Sequence, residues 1–356
     1  LPPKKVYDDT WQRLYGGSSY ERLQTIIATP DGGYIAGGNT ASRNGDVTGP
    51  NGSNNLWVMK LDAAGAIQWQ QVLGGTDYDE AKSISIAPDG GYVVTGTTQS
   101  NDGPTGPVKG RGDILVLKLS ATGTPLWEKA FGTSNFDQPG GAVVLNDGSI
   151  YIGGYAGAAD GDAATGHIGG DDFWLIKLDA AGTLQWKKQY GGSNHDVCKG
   201  ISRTADGQLL LAGYTQSNDG DITRQQGNGD IWLLKLDLNG TKLWQKSYGG
   251  SGYDVAHTLA LAPDGGFFIA GQTDSRDGDT GSAFEGTDAV LLRLDANGSI
   301  QWKKTSGGNS VDYFYHVAVL SNTRCMVAGS SSSNTGDLTG ISKGDMDAWL
   351  LRVDFQ

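Results

Sequence analysis

Short segments of alternating hydrophobic and polar residues dominate the chain, and one stretch shows the pattern clearly. Lys82–Ile86 reads KSISI and alternates with period two, which predicts a half-buried β-strand. A Pro-Asp-Gly-Gly turn follows, and Tyr92–Thr98 predicts the returning strand. After a long polar loop, Ile114–Leu119 and Pro125–Phe131 predict a third and a fourth strand. No segment keeps a 3.6-residue apolar period, so we expect essentially no helix.

This four-strand unit recurs six times along the chain. Each copy carries a tryptophan, two small residues and then a carboxylate, as in WQQVLGGTDYD, and successive tryptophans are 58 or 59 residues apart. Six copies of four antiparallel strands are typical of an all-β fold, the six-bladed β-propeller. The copies begin near Trp11, Trp69, Trp127, Trp186, Trp244 and Trp302.

The two ends of the chain predict how the ring closes. The chain ends on the third strand of a copy, Ala348–Val353, and begins with a fourth strand, Thr10–Tyr15. An N-terminal strand that completes the last blade leaves no open sheet edge. We therefore expect residues 1–356 to form one propeller with no separate second domain.

The strand order also assigns the loops to two faces. The short turns share one face, whereas the long second loop of each copy and the links between copies share the other, which we call the top face. Functional groups are most often carried on loops that a rigid scaffold positions. The top face is therefore where we expect the protein to act.

Composition excludes several classes of partner. The net charge of −12 argues against nucleic acid and against anionic membrane surfaces. No run of 18 apolar residues is present, so we expect no membrane insertion. The two cysteines occupy non-equivalent positions in their copies and define no disulfide framework. We expect a monomer.

A carboxylate occurs at the same position of all six copies and has two readings. One is a catalytic pair. The other is structural, in which each carboxylate accepts hydrogen bonds from the glycine-rich backbone of its own link between blades. Six equivalent copies favour the structural reading, because a catalytic pair needs two unlike environments. The six are Glu21, Asp79, Asp137, Asp196, Asp254 and Asp312.

The long loops carry a second acidic set, in which Asp-Gly-Asp triplets are followed by a further aspartate. Closely spaced carboxylates around a glycine are ingredients of calcium loops, although the spacing is not that of an EF-hand. Asx-turns that brace a long loop are the alternative. If calcium binds, we expect it in copies three to five, at Asp160, Asp162, Asp172, Asp219, Asp221, Asp230, Asp277, Asp279 and Asp288.

Positions where the copies differ are the better guide to a binding site. Three residues past the ring carboxylate the copies read Gln24, Lys82, Gly140, Lys199, His257 and Tyr315. Packing alone does not explain a position that varies from glycine to lysine to tyrosine, so we expect these residues around the top mouth of the channel. Aromatic and polar groups there suit a carbohydrate, and an empty solvated rim is the alternative. The predicted ligand-binding residues are Lys82, Tyr155, Tyr214, His167 and His316.

The repeat also resembles a known family. The fifth copy reads YGGSGYDVAHTLALAPDGGFFIAGQTDSRDGD and then DAVLLRLDANGSIQW, and all six copies share these spaced motifs. This pattern resembles the secreted bacterial β-propeller repeat often called SBBP. The resemblance implies an exported or surface protein and brings no catalytic residues with it.

Three functions remain open from the sequence. The first is an extracellular binding module that recognises a glycan or a surface protein through the top face. The second is a polysaccharide lyase that uses His195, His257, Tyr315 and Lys199 for proton transfer. The third is a purely structural repeat of a larger surface protein.

Overall fold

The protein is an all-β propeller of six small antiparallel sheets. The computed structural model describes residues 13–49, 54–103, 106–164, 169–282 and 284–355. Five sheets have four strands in sequential order, and the sixth contains three strands within the described residues. Each sheet forms one blade, so the predicted fold class is confirmed.

The strands follow the repeat. Blades 1 to 3 comprise β1 Glu21–Ala28, β2 Tyr34–Thr40, β3 Asn55–Leu61, β4 Ile67–Leu73, β5 Asp79–Ile86, β6 Tyr92–Thr98, β7 Asp113–Leu119, β8 Pro125–Phe131, β9 Gln138–Val144, β10 Ile150–Ala156, β11 Asp172–Leu178 and β12 Leu184–Tyr190. Blades 4 to 6 comprise β13 Asp196–Arg203, β14 Leu209–Thr215, β15 Asp230–Leu236, β16 Lys242–Tyr248, β17 Asp254–Leu261, β18 Phe267–Thr273, β19 Asp288–Leu294, β20 Ile300–Ser306, β21 Asp312–Ser321, β22 Arg324–Ser331 and β23 Asp347–Asp354. The only helical segments in the described ranges are two single 3₁₀ turns, Gly161–Ala163 and Gly336–Leu338.

The strands of the second copy fall where the alternation predicts them. β6 and β8 have the predicted bounds, whereas β5 begins three residues earlier, at Asp79, and β7 begins one residue earlier, at Asp113. Both earlier starts are buried aspartates, at 0% and 1% exposure. The alternation pattern misses these two residues because it assigns buried positions to hydrophobic residues, and aspartate is polar.

The tryptophans pack between strands and blades, as the repeat predicts. Trp57, Trp174 and Trp232 in third strands are at most 1% exposed, and the rings of Phe173 and Trp232 lie 4.4 Å apart between their centroids, across blades 3 and 4. The tryptophans of the fourth strands lie under the turn of the next blade. There Gly182, with a φ of 77°, leaves room for the Trp127 ring: a Cβ would lie 2.7 Å from it.

The predicted ring-closing strand, Thr10–Tyr15, lies partly outside the described residues. Residues 13–15 are described and are not in a strand. The Tyr15 hydroxyl nevertheless donates a 2.6 Å hydrogen bond to the Gly65 carbonyl, and Tyr190, the last residue of β12, makes the same contact with Gly240. Tyr15 therefore contacts blade 1 as the end of a fourth strand contacts the following blade.

The first strands of the six blades surround a central channel. A cavity of about 820 Å³ is lined by residues of β1, β5, β9, β13, β17 and β21 together. All six innermost strands thus contribute to one space, which is the defining geometry of a propeller.

Candidate functional site

Every innermost strand contains a β-bulge at the same place. In each, the pairing register with the second strand skips one residue, as between Leu23 and Thr25 in β1. A bulged residue is not paired in the ladder, and the bulge redirects its side chain. The six bulged residues are the variable residues three positions past the ring carboxylates: Gln24, Lys82, Gly140, Lys199, His257 and Tyr315.

Five of the bulged residues line the cavity over the channel, and the sixth lies beside it. In blade 6 the cavity is lined by His316 instead of Tyr315. Tyr315 is 40% exposed, and its ring lies 5.3 Å from that of His257. Bulges therefore supply four side chains to the cavity, those of Gln24, Lys82, Lys199 and His257, and Tyr155 and His316 contribute from paired positions.

One side of the mouth, formed by blades 1 and 2, is a closed hydrogen-bond network. Glu80 lies 2.7 Å from the Lys82 amine and accepts hydrogen bonds from Gln24 at 3.0 Å and from the Tyr78 hydroxyl at 2.7 Å. Burial alone would raise the pKa of Glu80, but Lys82 and the two hydrogen bonds bring it below its usual value. Lys82 is therefore neutralised within the protein. Sequence analysis missed Glu80, which has no equivalent carboxylate in the other copies.

The opposite side, formed by blades 3 to 5, is cationic and aromatic. The Lys199 amine lies 5.8 Å from the centre of the Tyr155 ring, a cation–π contact. Burial, followed by the charge of Lys82, lowers the pKa of Lys199. Above this pair, the rings of Tyr214 and Tyr253 pack edge to face at 5.3 Å.

A histidine and two tyrosines complete the mouth toward blade 6. The His257 Nε2 lies 2.8 Å from the Gln272 side-chain oxygen, and the His257 ring contacts both Tyr313 and Tyr315. Burial lowers the pKa of His257, and the neighbouring Lys199 adds to the shift. Burial also lowers the pKa of His316. Both imidazoles are therefore mainly neutral at pH 7.

The structure also shows a set of aromatic side chains on the top face, of which sequence analysis named only His195. The residue just before the ring carboxylate is aromatic in five of six copies, and Tyr20 and Phe136 are 58% and 37% exposed. In blades 1 and 3 the aromatic ring at this position is therefore not part of the buried core. Comparing the six copies shows this aromatic position in the sequence itself. We call this set the aromatic collar: Tyr20, Tyr78, Phe136, His195 and Tyr253.

The four residues predicted for a lyase are only partly brought together. His257 and Tyr315 are in contact, and Lys199 lines the same cavity as His257. His195 instead pairs through Nδ1 with Asp171, 2.9 Å away, in a largely exposed position of the collar. Of the predicted ligand-binding residues, Lys82, Tyr155 and His316 line the cavity and Tyr214 lies beside it, whereas His167 lies outside the described residues.

The six ring carboxylates are structural braces, as predicted. The oxygen of each accepts a hydrogen bond from a backbone N–H four residues earlier, at 2.7 to 3.1 Å. The five aspartates are 0% exposed. In blade 5, Asp254 also accepts from Ser275 at 2.8 Å and from Thr280 at 2.7 Å. The bracing oxygens are thus occupied by donors of the protein itself, whereas Asp79 Oδ1 and Asp196 Oδ1 are buried without a hydrogen-bond partner among the described residues.

The second acidic set also makes bracing contacts. Asp160, Asp219 and Asp277 each accept from the backbone of the preceding link, at 2.6 to 2.7 Å. Asp162 and Asp221 accept hydrogen bonds from glycine N–H groups, and Asp230 and Asp279 accept from Gln226. Asp288 forms an ion pair with Arg276, and Asp172 is fully buried.

These contacts bear on the predicted calcium sites. Within the described ranges, no group of three or more His, Cys, Asp or Glu side chains lies close enough together to hold a metal ion. Five of the aspartates bind the link between blades, 26 to 30 residues earlier in the sequence, and these contacts are not the local Asx-turns of the alternative. Asp230 and Asp288 each keep one buried oxygen without a hydrogen-bond partner in the part of the chain that the structure describes. Calcium binding stays a prediction, and a melting temperature that does not change with chelator would contradict it.

The blades, the channel and the bulged inner strands define the protein as a six-bladed β-propeller, and comparison with known proteins agrees with this class. No family model matches the chain. The chain is 22% identical over 315 residues to the regulatory protein FlaEY of Caulobacter vibrioides, which covers 82% of this chain and 30% of FlaEY. It is 21% identical over 353 residues to the uncharacterized WD repeat-containing protein L264 of Acanthamoeba polyphaga mimivirus, covering 76% of this chain and 25% of L264. The chain thus spans less than a third of the length of these relatives.

A solved structure shares the fold. The S511A mutant of puromycin hydrolase complexed with PGG superposes with a TM-score of 0.50 and 14% sequence identity, over 93% of this chain and 43% of the hydrolase chain. Identity at this level shows the fold alone. Among the described residues, no helix has the length and apolar character needed to cross a membrane.

Proposed function

We propose that the protein is an extracellular binding module that recognises a glycan at the channel mouth. One observation carries the proposal. The residues that differ three positions past the ring carboxylate all lie at bulges of the innermost strands, and four of them, Gln24, Lys82, Lys199 and His257, contribute side chains to one cavity. Repetition preserves what packing requires, so the differences mark what the scaffold leaves open for a ligand. The extracellular location rests on the resemblance of the repeat to exported propellers.

The chemistry of the mouth supports a sugar. Tyr155, Tyr214 and Tyr315 provide aromatic faces, which stack on the apolar faces of sugar rings. Lys199 and His257 provide polar groups between them, which sugar hydroxyls need as partners. A cavity of about 820 Å³ is within the usual size range of small-ligand sites. The aromatic collar extends this surface outward, so a longer chain can be held beyond the cavity.

The same geometry supports binding in preference to catalysis. Proton abstraction needs a base within hydrogen-bond reach of the substrate and a partner that orients it. His257 lines the cavity and is oriented by Gln272, but the second predicted base, His195, is held by Asp171 in the collar, outside the residues that line the cavity. The ring carboxylates accept hydrogen bonds from the scaffold and cannot replace these groups as a base.

Affinity electrophoresis through gels that contain a panel of neutral and acidic polysaccharides tests the proposal. We expect retardation on at least one gel without clearing of the polysaccharide, and loss of retardation in Tyr155→Ala and Tyr214→Ala. Tyr155→Phe keeps the ring and should remain retarded. Leu243→Ala, an exposed apolar residue of β16 (49% exposed), is the control and should behave as wild type.

Two results would refute the proposal. A cleared zone around the band would show an enzyme, and mobility unchanged on every gel would leave a structural or protein-binding propeller. The melting temperature of each variant must match that of the wild type, so that lost retardation reflects the site and not the fold.

A further inference from the structure

The cavity over the channel has a charge balance opposite to that of the protein. The chain carries 39 acidic and 27 basic residues, for a net charge of −12. Among the described residues that line the cavity are Lys82, Lys199, His257 and His316, and none of those lining residues is an aspartate or glutamate. A cationic cavity in an acidic protein attracts anions and concentrates them at one place.

The two lysines of the cavity differ in what they already contact. Lys82 is paired with Glu80 at 2.7 Å, so its charge is balanced by the protein. For Lys199 the structure gives one direct partner in the described part of the chain, the Tyr155 ring, which carries no net charge. Asp171 acts on Lys199 through its charge but forms no ion pair with it in the described part of the chain, and it is itself paired with His195. A largely buried ammonium group without a paired carboxylate is costly, and an anionic ligand would reduce that cost.

We propose that the cavity binds the carboxylate of an acidic sugar, such as a uronic acid, with Lys199 as its ionic partner. This inference rests on the proposed function and specifies its ligand. One unpaired ammonium group balances one negative charge, and a uronate carries one per ring. The Tyr155 ring beside the amine is positioned to stack on the sugar ring that carries the carboxylate.

The two imidazoles make this binding depend on pH. An anion beside His257 and His316 favours their charged forms, so ligand binding takes up protons as the pH falls. Affinity should therefore increase from pH 7.5 to pH 5, where uronates remain ionised. The groups that face His257 from the neighbouring strands are Lys199 of β13, Gln272 of β18, and Tyr313, Tyr315 and His316 of β21.

The inference is tested with matched probes that differ only in charge. Oligogalacturonate, oligomannuronate and oligoglucuronate are each compared with their methyl esters by isothermal titration calorimetry at pH 5 and pH 7.5. We expect at least one acid to bind about tenfold or more tightly than its ester, and to bind more tightly at pH 5. Lys199→Met should abolish this preference, and Lys199→Arg should keep most of it. Lys129→Met, which removes an exposed lysine of β8, should keep it fully.

The outcomes separate this inference from the proposed function. Equal binding of acids and esters, or an acid preference that survives Lys199→Met, overturns the carboxylate site and leaves glycan binding standing. Tighter binding of a sulfated neutral oligosaccharide than of any uronate also overturns it. Binding of poly-glutamate as tight as that of the best uronate overturns the sugar assignment. If no acid or ester binds, the acidic-sugar site is wrong, while retardation on neutral polysaccharide gels still tests the proposed function by itself.

Discussion

Replacing Asp254 by alanine is the sharpest test of the structural reading of the ring carboxylates. Asp254 is 0% exposed and accepts three hydrogen bonds, from Gly250 N–H at 3.0 Å, the Ser275 hydroxyl at 2.8 Å and the Thr280 hydroxyl at 2.7 Å. Alanine removes the acceptor and leaves three buried donors. The two hydroxyls can rotate toward other acceptors, but the backbone N–H cannot.

The expected loss follows from this count. An unsatisfied buried donor costs about 1–3 kcal/mol, and a hydrogen bond to a charged acceptor is worth about 1.5–3 kcal/mol. The Gly250 N–H loses its acceptor completely, and the two hydroxyls find other acceptors only in part. We therefore expect Asp254→Ala to reduce the free energy of unfolding by about 3–5 kcal/mol. This is a large fraction of the total stability of a typical protein, which is about 5–15 kcal/mol. Asp254→Asn keeps one acceptor oxygen and should lose about half as much.

The assay is guanidinium unfolding followed by the fluorescence of the 10 tryptophans, with the midpoint and the slope compared between variants. Asp274→Ala is the control because Asp274 lies in the loop after β18 but is exposed, and its removal should change the midpoint little. A loss below about 1 kcal/mol in Asp254→Ala would refute the reasoning. The ring carboxylates would then be free of a structural duty, and a catalytic role for them would have to be reconsidered.

Three further predictions concern the scaffold. Burial raises the pKa of Asp230 to about 6, above its unfolded value, so ionisation destabilises the fold increasingly as the pH rises from about 4 through 6. Asp230→Asn should therefore raise the melting temperature relative to wild type at pH 7.5 and less at pH 5, and a difference that does not vary with pH contradicts this. Tyr190→Phe removes the 2.6 Å hydrogen bond to Gly240 of the next blade and should cost about 1 kcal/mol in guanidinium unfolding; no loss would mean that the contact adds nothing. Burial raises the pKa of the Cys198 thiol to about 12, so in a Cys325→Ser background Ellman's reagent should label it only in denaturant, and fast labelling of that native variant would show that blade 4 opens locally.

The sequence predicted the scaffold well because the repeat constrains it six times over. The strand bounds of blade 2 agree with the alternation to within three residues, and the largest deviation is at Asp79, whose burial depends on hydrogen bonds that alternation does not encode. The structural role of the ring carboxylates also followed from repetition. The second acidic set could not be assigned, because an Asx-brace and a calcium loop use the same residue types.

The sequence located the variable residues of the innermost strands, but it did not reveal the contacts that they make. The variable residues could be located by comparing copies, but only the strand register shows that each is a bulge. The partners that distinguish one side of the mouth from the other, Glu80 and Asp171, occur in single copies and could not be identified by repetition. Which lysine is neutralised depends on contacts between side chains of different sequence positions, and a repeat pattern does not contain that information.

The bulges explain how a repeated fold can carry a site that is not repeated. A residue paired in the ladder has its direction fixed by the sheet, and a residue between blades has its size fixed by the neighbouring blade. A bulged residue on the innermost strand is unpaired in the ladder, so its side chain is not directed by the sheet. Five copies carry different side chains there, whereas blade 3 requires a glycine, because a Cβ at Gly140 would lie 2.6 Å from the Lys199 carbonyl carbon. In blades 1 and 2 the charge of Lys82 is balanced by Glu80. In blades 3 to 5 Lys199 contacts the uncharged Tyr155 ring, so this side of the mouth is the one suited to an anion.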